Sequence, residues 1–348
     1  MSTGFTSRIL NGIAGDPAVF VINNQSSEGI LFDSGDLSQI SHKELLKVRV
    51  VLISHTHIDH FIGFDRLIRV NIPHHRLIEV VGPAGIVGNV CGKLAAYTWN
   101  LLEPNQVIYR VHEVLETGEV RTYEISNSSG FAPKKVLITP SVSDAIDIPL
   151  LRKDVRVSAC VLDHGVPVCA YSVRVDDFDA ISKDALSREN LEPGPWISEL
   201  LERKRTNTLS DHNDIRGLNL TSRQLASKII EKRRGQKISY VTDVSFSKGN
   251  VSKLLNFLQE TTVLICETNY RHEHRLKALE KKHLTTKQAA LLAAASGSIS
   301  LEVFHVSAIY HDDPEGSVAE ASEFLMAFRQ LSHSDLKNAI IAECEGTP

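Results

Sequence analysis

The sequence predicts a layered α/β fold, and three observations carry that reading. Short β-branched or apolar runs recur along the chain, separated by segments whose apolar residues fall at helical spacing. Many of the runs close on turn residues such as Asp33-Ser34-Gly35-Asp36 and Gly82-Pro83-Ala84-Gly85. Five runs deliver a histidine, aspartate or glutamate at or just after the last apolar residue, where active sites collect in layered α/β architectures.

Taken in order, residues 18–22 and 29–32 read as strands. Residues 41–48 read as a helix, with Ser41 as cap and Glu44 positioned to complete a capping box. A strand over 50–54 follows, then a helix over 60–70 in which Phe61, Phe64, Leu67 and Ile68 share a face. Residues 77–81 form another strand and 86–100 another helix. The second part repeats this grammar. Residues 155–162 end at Asp163-His164-Gly165, 237–241 at Thr242-Asp243, 263–266 at Glu267-Thr268-Asn269, and 301–304 at His305. After His311 one amphipathic helix is expected over 318–331, then a polar end.

The densest chemistry is His55-Thr56-His57-Ile58-Asp59-His60, which follows the strand at 50–54 directly. Neutral imidazole and carboxylate are ligands suited to zinc and similar divalent ions. Three imidazoles and a carboxylate within six positions, rooted on a buried strand, describe a loop folded around metal rather than a His-rich surface loop.

Composition sets the broad class. The chain has 348 residues, 42% hydrophobic and 23% charged, which is ordinary for a soluble globular protein. A net charge of −4 carries no global basic bias, so nucleic-acid binding would need a local patch. Five cysteines, scattered and without CxxC spacing, argue against a disulfide framework and fit a reducing cytoplasm. The first residues lack an apolar signal region and no stretch is long enough to span a bilayer, so a cytoplasmic location and no membrane partner are expected. Residues 176–236 are polar and broken by Glu192-Pro193-Gly194-Pro195. Within 200–237 there are ten bases and four acids, a local excess of six positive charges. That excess reads either as a solvated insertion or as an appendage that meets phosphates.

His55-x-His57-x-Asp59-His60 resembles the signature of the metallo-β-lactamase fold, which implies an αββα sandwich of two mixed sheets with a dinuclear metal site at its edge. Later landmarks resemble the ribonuclease Z family, the tRNA 3′-processing endonucleases. They are Leu162-Asp163-His164-Gly165-Val166-Pro167 with Ala170-Tyr171-Ser172-Val173, Tyr240-Val241-Thr242-Asp243, and Phe304-His305-Val306-Ser307. Leu191-Glu192-Pro193-Gly194-Pro195 is similar to a segment of that family's substrate-binding arm, and the run from His283 through Thr285-Thr286 to Ala290 is similar to its His-Ser/Thr loop. The resemblance covers residues 32–310 and implies one domain over 1–348, with 176–236 as an inserted arm.

Residue by residue, the resemblance implies that His55, His57 and His164 hold one metal, Asp59, His60 and His305 a second, and that Asp243 bridges both. Two zinc ions so placed would acidify water and clamp both oxygens of an in-line displacement at phosphorus. Asp59 additionally resembles the family's proton-accepting carboxylate, and Glu267 with His283 would protonate the leaving oxygen. His272 and His274 compete with His283 for that role. The resemblance further implies RNA, as precursor tRNA, for substrate and a homodimer for assembly.

Three positions depart from the family pattern. Cys266-Glu267-Thr268-Asn269 stands where the family has His-Glu-Ala-Thr. Ile309 stands where the last motif carries a phosphate-meeting arginine, and Leu10-Asn11-Gly12-Ile13-Ala14-Gly15 replaces an N-terminal Gly-Thr-Gly turn. The first expectation is a zinc-dependent ribonuclease Z-like endonuclease. The alternative is a hydrolase of small phosphodiesters or related esters that shares the site but not the RNA. A metal-stabilised scaffold without catalysis would need a broken ligand set, and none is broken.

Overall fold

A computed structural model describes residues 4–212, 215 and 220–345. By packing, the chain divides into two compact units. One runs to Arg174 and resumes at Gln236; the other is Val175–Gly235.

The larger unit holds two mixed sheets. The first is built, in spatial order, from β1 (Phe5–Ile9), β2 (Val19–Asn23), β3 (Gly29–Phe32), β4 (Val48–Leu52), β5 (Leu77–Pro83), β6 (Ile108–Val114), β7 (Val120–Ser126) and β8 (Lys134–Thr139). Strands β3 to β6 are parallel and the flanking pairs antiparallel. The second sheet contains β9 (Ile146–Asp147), β10 (Arg156–Asp163) and β11 (Pro167–Arg174), together with β14 (Lys237–Val241), β15 (Val263–Glu267) and β16 (Ser300–Phe304). Its order is β16-β15-β14-β11-β10-β9. The smaller unit supplies the remaining pair, β12 (Phe178–Ile181) with β13 (Ile230–Arg233).

Alternation along the strands sets the layers. Ile30, Phe32, Val50 and Leu52 lie on one face, while Leu31, Val51 and Ile53 join a core with α1 (His42–Leu45), α3 (Phe64–Asn71) and α4 (Ile86–Ala95). In the second sheet Cys160, Val241, Leu264 and Cys266 pack under α8 (Lys248–Phe257), α10 (Thr286–Ala295), α11 (Glu315–Phe328) and α12 (His333–Glu345). Between the sheets, Tyr240 stacks on both Phe32 and Phe304, with ring centroids 5.1 Å apart in each pair. The Tyr171 hydroxyl donates to the Ile53 carbonyl at 2.7 Å and the Cys169 amide to the Ser54 carbonyl at 2.9 Å, stitching β11 to the end of β4. This is the expected αββα sandwich.

Several expected elements shift. The helix expected over 60–70 is two pieces, α2 (Ile58–Phe61) and α3, separated at Ile62-Gly63. A Cβ on Gly63 would sit 2.0 Å from the Gly35 carbonyl, and one on Gly35 would sit 2.3 Å from the Asp59 carbonyl. The two glycines therefore let the 33–36 turn press against the His loop, and that close approach breaks the helix. The helix expected over 86–100 ends at Ala95. The tail holds two helices, not one: Leu336, Ile340 and Cys344 recur every four residues, enough to seat α12 on the core despite its polar sequence. No described helix is long and apolar enough to cross a membrane.

The smaller unit has its own core of Ala185, Leu186, Leu200, Ile215, Leu225, Ala226 and Ile229, closed by α5 (Lys183–Arg188), α6 (Trp196–Arg205) and α7 (Ser222–Ile229). Its boundaries alter the charge argument. Across Val175–Gly235 there are eleven acids and eleven bases, so the excess at 200–237 is offset within the unit. Many of its cations pair locally, as Arg203 with Glu199, Arg205 with Glu202, Arg223 with Asp211 and Lys228 with Glu189. Asp214, Arg216 and Asn219 lie outside the described residues.

Candidate metal centre

Strands β10, β14, β15 and β16 run in one direction, so their C-terminal ends share one edge of the second sheet. His164 follows β10, Asp243 follows β14, Glu267 closes β15 and His305 follows β16. The loop after β4 brings His55 and His57 from the other sheet, and α2 carries Asp59 and His60. His283 arrives from the turn between α9 (Arg275–Lys281) and α10. Asp243 and His305 hold left-handed φ angles of +49° and +55°, a conformation that costs non-glycine residues about 1–3 kcal/mol each and collects at functional sites.

These residues form two groups around one carboxylate. The donor atoms of His55, His57, His164 and Asp243 lie within 4.8 Å of one another, as do those of Asp59, His60 and His305. Oδ2 of Asp243 is 3.7 Å from His55 Nε2 and 3.5 Å from His164 Nε2. Oδ1 faces the other way, 3.5 Å from His60 Nε2 and 2.9 Å from His305 Nδ1. Asp59 completes the second group at 3.5 Å from both His60 Nε2 and His305 Nε2. Tetrahedral ligands about 2.0–2.1 Å from a zinc ion would stand about 3.3–3.4 Å apart, close to this spacing.

The donors fit a divalent metal on chemical grounds. His55 Nε2, His60 Nε2 and His305 Nδ1 are buried without a hydrogen-bond partner in the protein. Orphaned buried nitrogens are costly unless something else engages them. Burial, reinforced by the neighbouring His60 charge, pushes His55 down to about 2, so its imidazole is neutral with a lone pair to give. Burial acts against Asp59, but the His305 hydrogen bond and the His60 and His305 charges hold it at about 2, an anion.

The imidazoles are oriented from behind. Asp33, fully buried at the end of β3, takes His60 Nδ1 at 2.8 Å. The same carboxylate accepts from the Ser54 amide at 2.6 Å, the Ser54 hydroxyl at 2.8 Å and the Tyr240 hydroxyl at 2.7 Å. His55 Nδ1 meets Ser54 Oγ at 3.1 Å, and His164 Nδ1 meets the Lys282 carbonyl at 2.9 Å. Such outer contacts fix the tautomer that aims the other nitrogen inward.

Beside the metal groups, Glu267 Oε2 lies 2.8 Å from His283 Nδ1. Its Oε1 accepts from the Val244 amide at 2.9 Å and the Leu284 amide at 3.2 Å, locking the buried carboxylate. Burial works against the charged imidazole, but the Glu267 carboxylate prevails and raises His283 above its ordinary range. His272 and His274 are engaged elsewhere, on Thr285 and on the Tyr310 hydroxyl.

The chain is 26% identical over 319 residues to a ribonuclease Z of Deinococcus radiodurans, covering 88% of this chain and 91% of that protein. It is 28% identical over 309 residues to one from a Synechococcus species, covering 86% and 81%. Among solved structures it matches human short-form tRNase Z with a TM-score of 0.52 and 18% identity, over 88% of this chain and 92% of that one. A metallo-β-lactamase-fold protein of Bacillus subtilis matches with a TM-score of 0.52 and 12% identity, over 92% and 93%. The chain has the metallo-β-lactamase fold. Its curated relatives over most of its length are ribonucleases Z, although no protein-family model matches it.

Within this metallo-β-lactamase fold the sequence departures acquire places. Cys266 is buried in the helix-side core with Val241, Leu264 and Leu291. Asn269, also altered, donates to the His305 carbonyl at 2.9 Å and buttresses the left-handed turn there. Ile309 is 46% exposed and places no cation beside the site. The Leu10–Gly15 loop abuts His305, since the Val306 amide donates to the Ile13 carbonyl at 2.8 Å. Sequence reasoning missed Asp33, Ser54 and Tyr240. Asp33 read only as a turn residue; the available signal was its place at the end of a strand whose neighbour opens the His cluster.

Proposed function

We propose that this protein is a two-zinc phosphodiesterase of ribonuclease Z type that cuts precursor tRNA on its 3′ side. The observation that carries the reading is the Asp243 carboxylate, with one oxygen turned to each metal group and the Glu267–His283 pair beside it. His55, His57 and His164 would hold one ion and Asp59, His60 and His305 the other. Bound there, two zinc ions would supply Lewis acidity at the phosphoryl oxygens and a water acidic enough to deprotonate near neutral pH.

The chain's own groups do the rest. Asp59, an anion at the rim of the second group, accepts the proton of the attacking water. Glu267 occupies His283 Nδ1, so the imidazolium presents Nε2 to the leaving 3′ oxygen and donates a proton there. The buried Glu267 carboxylate also raises His283 above its ordinary value against the effect of burial, which favours the protonated form a general acid uses.

The Val175–Gly235 unit would act in substrate capture. Lys183, Arg188, Lys204 and Lys232 have no ion pair among the described residues and are available to phosphates. The free cysteines fit a cytoplasmic setting, and a homodimer is the expected assembly. The absence of an arginine at position 309 and the neutral balance of the smaller unit favour one second reading, hydrolysis of small phosphodiesters. The test is cleavage of a precursor tRNA against a chromogenic phosphodiester in one zinc-loaded preparation, with and without Val175–Gly235 replaced by a Gly/Ser linker. Endonucleolytic release of the 3′ trailer, lost on replacement while diester hydrolysis persists, is expected. Diester hydrolysis by an intact protein that never cuts the RNA would establish the second reading.

A further inference from the structure

His283 has a second neighbourhood. A cavity of about 270 Å³ opens beside it, and the same imidazole forms part of its wall. Helix α9 contributes Arg275, Leu276 and Leu279, the first turn of α10 contributes Lys287, and Phe246 completes the apolar lining. The Arg275 side chain has no hydrogen bond or ion pair among the described residues. Leu276 is 65% exposed. The last wall comes from α12: Glu343 reaches in and its carboxylate lies 2.8 Å from Lys287 Nζ and 3.1 Å from Gln288 Nε2. His272 stands 3.9 Å from the same carboxylate.

We infer that this cavity is the subsite for the nucleotide whose 3′ oxygen leaves, with Arg275 and Lys287 reading its 5′-phosphate and Leu276, Leu279 and Phe246 receiving its ribose and base. The inference rests on the proposed role of His283. If that imidazole protonates the leaving oxygen, whatever fills the cavity it also lines is joined to that oxygen. The lining combines two cationic side chains with three apolar ones, the mixed character that suits a nucleotide. A guanidinium and an ammonium are the donors that suit a phosphate. Glu343 is then a competitor: a carboxylate engages Lys287 when no phosphate does.

The probe is adenosine 5′-monophosphate, which carries a 5′-phosphate and a free 3′ hydroxyl like the released end. Its inhibition of chromogenic diester hydrolysis is measured on the zinc-loaded full chain, as the ratio of Ki to the KM of the diester. Competitive inhibition is expected in the unaltered protein. The ratio should rise about tenfold in Arg275→Ala and in Lys287→Ala, as for a lost charge-assisted hydrogen bond, and fall in Glu343→Gln. Adenosine without phosphate should bind all four proteins alike. Calorimetric titration with the same nucleotide reads the same residues without turnover. An unaltered protein that does not bind the nucleotide, or variants that bind it equally well, would overturn the subsite. Loss of precursor cleavage in the unaltered protein, with nucleotide binding still sensitive to Arg275, would instead remove the tRNA reading and leave the subsite standing.

Discussion

Asp33→Asn isolates what the outer carboxylate does for the metal centre. Asn keeps the shape of Asp33 and still offers an oxygen to the Ser54 amide, now 2.6 Å away. Its other terminal atom becomes an NH2 donor where the carboxylate had accepted from the Tyr240 hydroxyl at 2.7 Å and met His60 Nδ1 at 2.8 Å. Facing a donor, His60 Nδ1 must accept, and the ring proton moves to Nε2, the nitrogen that points 3.5 Å from both Asp59 and Asp243. A protonated Nε2 cannot ligate. Loss of such an outer partner typically weakens metal affinity about 10–100-fold. The loss should fall first on the Asp59–His60–His305 group, where His60 meets Asp33 directly; His55 feels the change at one remove, through the Ser54 hydroxyl that the same carboxylate holds, and His164, oriented by the Lys282 carbonyl, should be spared. Asp33→Ala goes further: it strands four buried partners of one carboxylate, and about 3–5 kcal/mol of stability should be lost. Zinc titration against a chromophoric chelator reads the two affinities separately, and thermal unfolding of the metal-free protein reads the fold. An Asp33→Asn protein that binds both ions as tightly as the unaltered chain would refute the tautomer argument.

Asp243→Ala should leave almost no bound metal in elemental analysis, whereas His57→Ala or His60→Ala should each retain about one ion per chain, because Asp243 turns one oxygen to each group; equal losses in all three would refute the bridge. Glu267→Gln and His283→Ala should each lower turnover by about 10²–10⁴ with metal retained. The double variant should be little worse than either, and additive losses in single-turnover kinetics would show that the pair does not act as a unit. Burial depresses His60, but the Asp243 and Asp33 carboxylates overcome it and raise the imidazole to about 10; Asp243 likewise raises His305 well above its ordinary range. A raised folded-state pKa stabilises the metal-free protein fully below the unfolded value of about 6.5, and that contribution disappears as pH climbs through about 10. Metal must displace these protons, so loading near neutrality should release about two per chain and tighten as pH rises. Calorimetry in two buffers of different ionisation enthalpy measures the release, and identical heats would contradict it.

Much of the candidate ligand cluster could be read from the sequence, because its members sit where strands end, and strand ends are a local property. The run at 50–54 followed by His55, His57, Asp59 and His60 states both the strand and its cargo. His164, Asp243, Glu267 and His305 follow the same rule on their own strands. The capping boxes at Ser41 and Thr285 are local too, since every partner lies within three residues.

What the tertiary structure decided involves groups far apart in the chain. Asp33 is a turn residue by its neighbours and becomes an imidazole-orienting carboxylate only because β3 lies beside β4 and Tyr240 crosses from the second sheet. The split of the helix expected over 60–70 depends on Gly35 meeting α2, a contact between distant segments. Helix α12 carries too little apolar surface to announce itself and forms against a core supplied by α8 and α10. Charge over 200–237 looked basic until packing drew the unit's boundary at Val175–Gly235 and brought in the acids that offset it. Local sequence specifies which groups a strand end presents; only the packed sheets decide which of them share a proton or a metal, because those energies depend on distances of a few ångströms between residues hundreds of positions apart.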